Sequence, residues 1–324
     1  MNTESKGLVK VLLVSPVDPD AARLLYSRHD VASAFDDFGP HRADLLKDRE
    51  ILVFRSGVEI TPEVMDLAPR LGLIVRAGSG FDNIDLHHAA RRGIRVVRIP
   101  GPSADAVAEF TFGLMLTMAR RIVRADALVR DGLWPKRELG GNLLVGKVLG
   151  IVGAGNIGTR VGQLGAAWGM DTIGCVDPIH LDWMPPVFMR GGDLAAVLAA
   201  ADFVTVHTPL TDRTRGLLGA GELAAMKPGA YLVSTARGGI VDEAALYEAL
   251  ASGHLAGAAL DVHEREGDGV IPKLADLPNV VLTPHIGGMA LESQRAIGRR
   301  IVELIEAFTA GILDSTADQS ELLT

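Results

Sequence analysis

The hexapeptide Gly153-Ala154-Gly155-Asn156-Ile157-Gly158 constrains this chain more than any other feature, because of what surrounds it. Before it runs Lys147-Val148-Leu149-Gly150-Ile151-Val152, an apolar segment that reads as a buried parallel strand. After it comes a helix-compatible stretch and a second apolar run, Thr172-Ile173-Gly174-Cys175-Val176, closed by Asp177 19 residues beyond Gly158. With 37 glycines in 324 residues, a G-x-G-x-x-G alone would say little. Strand, glycine turn, helix, strand and acid within about 30 residues make a dinucleotide fingerprint. Glycines let the backbone turn and approach a pyrophosphate, whose charge rests on the N–H groups at the helix start. An acid at the end of the second strand accepts hydrogen bonds from the adenosine ribose. A 2′-phosphate would meet like charge there, so Asp177 favours NAD over NADP.

Such a fingerprint usually opens its domain, yet residues 1–146 come before it. Val9–Val14, Ile51–Phe54, Leu73–Arg76 and Val96–Arg98 are β-type runs separated by amphipathic stretches, the pattern of a parallel sheet with crossover helices. Pro100-Gly101-Pro102 breaks that pattern, and Ser103 is placed to cap a long helix running through Arg120. After Asp177 the alternation resumes, with strands expected at 202–206, 230–234, 256–260 and 280–282. With the two around the fingerprint these make six, the count of a full dinucleotide domain. Residues 290–310 read as one amphipathic helix through Ile297, Ile301, Leu304, Ile305 and Phe308, returning to the first domain. The fold expected is therefore α/β with two doubly wound parallel sheets. A Rossmann cofactor domain (103–289) is inserted into a flavodoxin-like substrate domain (1–102 with 290–324), with a hinge and a cleft between them. The last dozen residues are expected to fray.

Composition narrows the function classes. A net charge of −8, from 32 basic and 40 acidic residues, argues against nonspecific nucleic-acid binding. The single cysteine, Cys175, excludes an internal disulfide and a cysteine-based metal site, and no metal is expected. The polar N-terminus lacks a signal-peptide core, and the apolar stretch 106–119 contains Glu109 and is too short to span a membrane. A cytoplasmic metabolic protein with a small-molecule substrate fits.

In a doubly wound sheet, polar residues just past strand ends face the ligand crevice. Arg237 follows Leu232–Ala236, His285 follows Val280–Pro284, and Asp261 ends Ala258-Ala259-Leu260 with Glu264 and Glu266 beyond it. Taken singly, each has an ordinary explanation: a strand-end salt bridge, a turn histidine, a solvated Glu-Arg-Glu run. Together behind a nucleotide fingerprint they match hydride transfer between an alcohol and a carbonyl. A forked guanidinium pairs with a carboxylate, an imidazole exchanges the hydroxyl proton near neutral pH, and a glutamate orients the ring and favours its protonated form.

Three long segments in order resemble the D-isomer-specific 2-hydroxyacid dehydrogenase family: Val206–Thr211 with Thr214–Leu217, Thr235–Glu243 around Arg237, and Thr283–Gly288 around His285. The resemblance covers nearly the whole chain. It implies an NAD-dependent oxidoreductase that interconverts a D-2-hydroxy acid and its 2-keto acid, working as a homodimer formed largely by the cofactor domains. Carried onto this sequence, it implies Arg237 on the substrate carboxylate and keto oxygen, His285 as the proton-exchanging group, and Glu266 as its support. It implies a cofactor lined by Gly153, Gly155, Asn156, Ile157, Gly158, Asp177, Thr208, Pro209, Thr214, Thr235, Ala236, Asp261, His285 and Gly287. The family's glutamate usually follows Asp-Val-aromatic and precedes proline. Here His263 and Gly267 take those places, so a looser loop is expected, and spacing favours Glu266 over Glu264.

Arg76-Ala77-Gly78-Ser79-Gly80-Phe81-Asp82-Asn83-Ile84-Asp85 resembles the family's substrate loop, where N–H groups of Gly78 and Ser79 could hold the carboxylate. Arg55 and Arg76 at strand ends look most like those of 3-phosphoglycerate dehydrogenases, and could grip a phosphate or phosphonate. A chain ending at Thr324 would be a short, unregulated version of such an enzyme. A glyoxylate or hydroxypyruvate reductase remains an alternative. So does an NAD-sensing corepressor of the same fold, which would bind NAD without turnover.

Overall fold

The computed structural model describes residues 8–35, 37–176, 183–318 and 320–324. Asp177, the acid of the fingerprint, lies outside the described residues. The chain divides into two compact units, Met1–Ser103 with Met289–Thr324, and Ala104–Gly288.

The first unit is built on five parallel strands, β1 Lys10–Leu13, β2 Asp30–Ser33, β3 Ile51–Phe54, β4 Leu73–Arg76 and β5 Arg95–Arg98, in the order β2-β1-β3-β4-β5. That is the flavodoxin-like order. The strands read as continuous apolar runs because both sheet faces are covered. Val11, Leu13, Val53, Val75 and Ile301 pack on one side; Leu12, Leu52, Phe54, Ile74 and Val96 pack on the other. The helix Leu291–Thr309 buries Ile297, Ile301, Leu304 and Ile305 in the first of these layers. The strand β2 was not evident from the sequence: Asp-Val-Ala-Ser is short and half exposed, and only pairing with β1 makes it a strand.

The expectation that the last residues fray is wrong. Leu322 bridges Val97 in antiparallel fashion, and the Leu323 N–H donates to the Val96 carbonyl at 2.9 Å. The segment thus covers the outer edge of β5, which would otherwise present unpaired backbone groups.

The second unit carries β6 Val148–Val152, β7 Asp171–Cys175, β8 Arg190–Gly191, β9 Phe203–Val206, β10 Tyr231–Ser234, β11 Gly257–Leu260 and β12 Val280–Leu282. All are parallel, in the order β12-β11-β10-β9-β6-β7-β8. Counted from β6, this is the dinucleotide-binding order with one strand added, and the order reverses between β6 and β9. The two-residue β8 is the strand missing from the sequence reading. The long helix also starts elsewhere than expected. It spans Gly101–Ala119, so Ser103 lies within it rather than capping it, and Pro102 sits in a first turn that needs no N–H from it. It stops before Arg120, where Arg121 takes a left-handed backbone (φ 53°) ahead of a second helix, Ile122–Arg130.

Candidate active site

Seven turns leave the carboxyl ends of the second unit's sheet, and the sequence-nominated residues among those described stand on five of them. After β6, Gly153 has φ +95°, and a Cβ there would come within 2.6 Å of the Thr208 nitrogen. Only glycine allows this turn to lie against the one after β9. A side chain on Gly158 would collide with the Gly153 carbonyl, so the helix Asn156–Ala167 can begin hard against the strand. Its N-terminus has no side-chain cap, and the space a Cβ on Gly155 would occupy is open. The backbone N–H groups of Asn156 and Ile157 thus have no acceptor among the described residues, which suits a pyrophosphate.

The turn after β9 is self-supporting. The Thr214 hydroxyl donates to the Pro209 carbonyl at 2.6 Å and accepts from the Thr211 N–H at 2.8 Å. Thr208 is buried, while Pro209 is exposed. Beside them the His207 Nδ1 lies 3.2 Å from the Thr235 hydroxyl, which in turn lies 3.3 Å from that of Thr111. Burial pushes the His207 imidazole down to about 3, so it is neutral at physiological pH.

Asp261, at 1% exposure, organises the turn after β12. Its Oδ1 accepts from the Thr283 hydroxyl at 2.6 Å and the Ile286 N–H at 2.9 Å, and its Oδ2 from the Gly287 N–H at 2.7 Å. These bonds hold His285 in a left-handed conformation, φ 56°, that a non-glycine residue adopts at a cost of about 1 kcal/mol. The structural work of Asp261 was not evident from the sequence, because it depends on how two loops fold together.

His285 Nδ1 lies 2.9 Å from Glu266 Oε2. Burial alone would raise the Glu266 carboxyl, but the His285 hydrogen bond and charge, with the His263 N–H, carry it below its ordinary value. Glu264 is employed elsewhere. It accepts from the Glu243 N–H at 3.2 Å while Glu243 accepts from the Glu264 N–H at 2.7 Å. The loop is not loose where His263 replaces an aromatic residue, because its Nε2 donates to the Thr283 carbonyl at 3.0 Å. Gly267 follows at φ +136°, which proline could not adopt. Arg237 lies just past β10 with its Nη1 donating to the Ala236 carbonyl at 2.7 Å. Thr235 and Ala236 are buried beneath it.

A sequence profile described as the NAD binding domain of D-isomer specific 2-hydroxyacid dehydrogenase matches residues 112–287 of the chain. The chain belongs to the D-isomer specific 2-hydroxyacid dehydrogenase family. It is 40% identical to hydroxypyruvate reductase of Thermotoga maritima over 91% of this chain and 97% of that protein. It is also 40% identical to D-3-phosphoglycerate dehydrogenase of Methanocaldococcus jannaschii, over 94% of this chain but 58% of that one. Among solved structures, D-lactate dehydrogenase of Aquifex aeolicus complexed with NAD and lactic acid aligns over 97% of this chain and 98% of that one, with a TM-score of 0.85 and 28% identity. As a member of this dehydrogenase family the chain is an oxidoreductase that uses NAD. Among the described residues no cluster of His, Cys, Asp and Glu could hold a metal ion, and no helix is long and apolar enough to cross a membrane.

The first unit of this dehydrogenase carries the remaining nominated residues. Arg76 is buried at the end of β4, with its Nη1 donating to the Ala77 carbonyl at 3.0 Å. The Gly78 N–H does not face outward as expected. It closes a tight turn on the Arg76 carbonyl at 2.8 Å, leaving the N–H groups of Ser79 and Gly80 without acceptors among the described residues. Arg55 has no carboxylate partner among the described residues. Its Nη2 lies 3.0 Å from the Met289 sulfur, and burial lowers its pKa. A partly desolvated, unneutralised guanidinium is suited to binding an anion.

Proposed function

We propose that this dehydrogenase reduces a 2-keto acid to the D-2-hydroxy acid, or runs the reverse reaction, with His285 as the proton donor. The observation that carries this reading is the 2.9 Å pairing of Glu266 with His285 Nδ1. That bond consumes Nδ1, so Nε2 is the nitrogen left to deliver a proton. NADH supplies a hydride to the substrate carbonyl carbon when bound. As charge builds on the carbonyl oxygen, His285 Nε2 gives it a proton, and ionised Glu266 stabilises the imidazolium beforehand. Arg237 pairs with the carboxylate and polarises the carbonyl. Free N–H groups at Ser79 and Gly80 add further donors for that carboxylate. Asn156 and Ile157 hold the pyrophosphate, Asp177 the adenosine ribose. Thr208, Ala236 and Asp261 serve the nicotinamide end.

Arg55, an arginine without an acid among the described residues, supports a substrate that bears a second anionic or strongly polar group. A phosphorylated or phosphonate hydroxy acid fits best. Hydroxypyruvate is the second reading, favoured by the reductase relative that this chain matches end to end. A panel of glyoxylate, pyruvate, hydroxypyruvate and phosphohydroxypyruvate, followed by NADH absorbance, tests the function. Tight NADH binding with no turnover of any 2-keto acid would refute it. Arg55→Ala should raise KM for phosphohydroxypyruvate at least tenfold more than for pyruvate, on the order of one charge-assisted contact. Equal effects on both would remove the phosphate assignment.

Two further features complete the reading. Ile122, Val123, Val129 and Trp134 of the cofactor unit are exposed, Trp134 at 80%, and this apolar stretch supports pairing of two copies as a homodimer. A single buried thiol, Cys175, supports work in the reducing cytoplasm.

A further inference from the structure

Arg98, at the end of β5, is used by none of the roles above, yet it touches the proposed substrate loop and a distant part of the chain at once. Its Nη1 donates to the Ser79 carbonyl at 3.1 Å, its Nε to the Ser320 carbonyl at 2.9 Å, and its guanidinium lies 5.2 Å from the centre of the Phe81 ring. No carboxylate pairs with it among the described residues, so its charge is satisfied by two backbone carbonyls and an aromatic face.

The segment holding Ser320 is firmly set. The Arg98 N–H donates to the Glu321 carbonyl at 2.9 Å, and Thr324 Oγ1 accepts from the Val96 N–H at 2.7 Å while donating to the Ile94 carbonyl at 2.8 Å. Glu321 is buried, and its two carboxylate oxygens take Arg300 Nε at 2.9 Å and Nη2 at 2.7 Å. Residues 320–324 are thus anchored to the helix 291–309 as well as to β5.

The guanidinium is planar with its donors in a rigid fork, so it holds the two carbonyls at one spacing. The peptide unit is planar too, so the Ser79 carbonyl and the Gly80 N–H point in opposite directions from one plane. Fixing the carbonyl on Arg98 therefore fixes where the Gly80 N–H is aimed. We propose that Arg98 is a positioning residue for 2-keto acid binding, and that segment 320–324 is the strut against which it holds the substrate loop. The proposal rests on the reading that this loop receives the substrate carboxylate.

Arg98→Met keeps the length and the packing on Phe81 but loses both donors. With hydroxypyruvate as substrate, KM for the keto acid should rise about tenfold, the scale of one well-made hydrogen bond, while KM for NADH stays within about twofold. Arg98→Lys, with one donor, should recover part of the loss. Glu321→Gln should raise the keto-acid KM less, and add little on top of Arg98→Met, because both act through one contact. Unchanged keto-acid KM in Arg98→Met, or an equal rise in both KM values, would overturn the proposal. Ser79→Pro removes the Ser79 N–H and checks the underlying reading separately. If it raises the keto-acid KM while Arg98→Met does not, only the strut fails. If neither variant moves it, the carboxylate reading fails with it.

Discussion

Two histidines stand just past strands of the same sheet, and their surroundings give them opposite properties. His207 follows β9, enclosed near the point where the strand order reverses, with a threonine hydroxyl on one nitrogen and the other buried without a partner. Burial holds it neutral. His285 follows β12, is held in a left-handed turn by Asp261, and faces a carboxylate at 2.9 Å. A histidine at a strand end is therefore not a catalyst by position. A carboxylate held against one ring nitrogen suits it to the proposed proton exchange, and burial without such a partner leaves it neutral.

The largest test of that contrast is deletion of each imidazole. His285→Ala should lower kcat about 1000-fold with little change in unfolding temperature, as loss of a positioned general acid does. A drop of less than tenfold would erase the distinction. Asp261→Ala should lower kcat about 100-fold and stability by about 3 kcal/mol, because buried N–H groups lose a charged acceptor and the His285 turn loses its hold. Glu266→Gln should lower kcat about tenfold or more, whereas Glu264→Gln should leave kinetics alone and cost about 1 kcal/mol of stability. The reverse ranking would mean that the wrong carboxylate has been assigned. Because the Glu266 carboxyl is held below its ordinary value, its pairing persists through the usual carboxylate range and is lost only at lower pH. Wild-type kcat for reduction should follow that course, and the Glu266→Gln variant should not show the acid decline.

The last test falls on His207 and appears only in acid. Its folded value is near 3 against an unfolded value of 6.5, so below pH 6.5 the unfolded chain binds a proton that the native state refuses. Stability should fall as pH drops from 6.5 toward 3. His207→Gln should flatten that fall by about 3 kcal/mol between pH 7 and pH 4, measured by urea unfolding. An unchanged slope would show that His207 takes up its proton in the folded protein.

Much of this was legible in one dimension. Parallel strands buried on both faces read as apolar runs, so β1, β3 through β7 and β9 through β12 all left a mark. Exposed, polar β2 and two-residue β8 did not, since their pairing partners define them. The glycine turn and the residues past each strand were likewise legible, because a parallel sheet sends every strand end to the same side. The separate duties of Glu264 and Glu266 were not. Two glutamates two residues apart differ only in which loop they meet, and Glu264 meets the helix start at Glu243. Nor was the inward turn of the Gly78 N–H, or the pinning of residues 320–324 on β5, since neither depends on a periodic pattern.

By itself the sequence determined a doubly wound α/β chain with a dinucleotide fingerprint, and it nominated an arginine, a histidine and carboxylates for hydride transfer. Local spacing suffices for that, because strand period and turn chemistry are short-range properties. Only the tertiary structure decided which carboxylate faces His285, which buried acid shapes its turn, and which histidine stays neutral. Those outcomes depend on distances of about 3 Å between groups far apart in the chain, where desolvation and hydrogen bonding act.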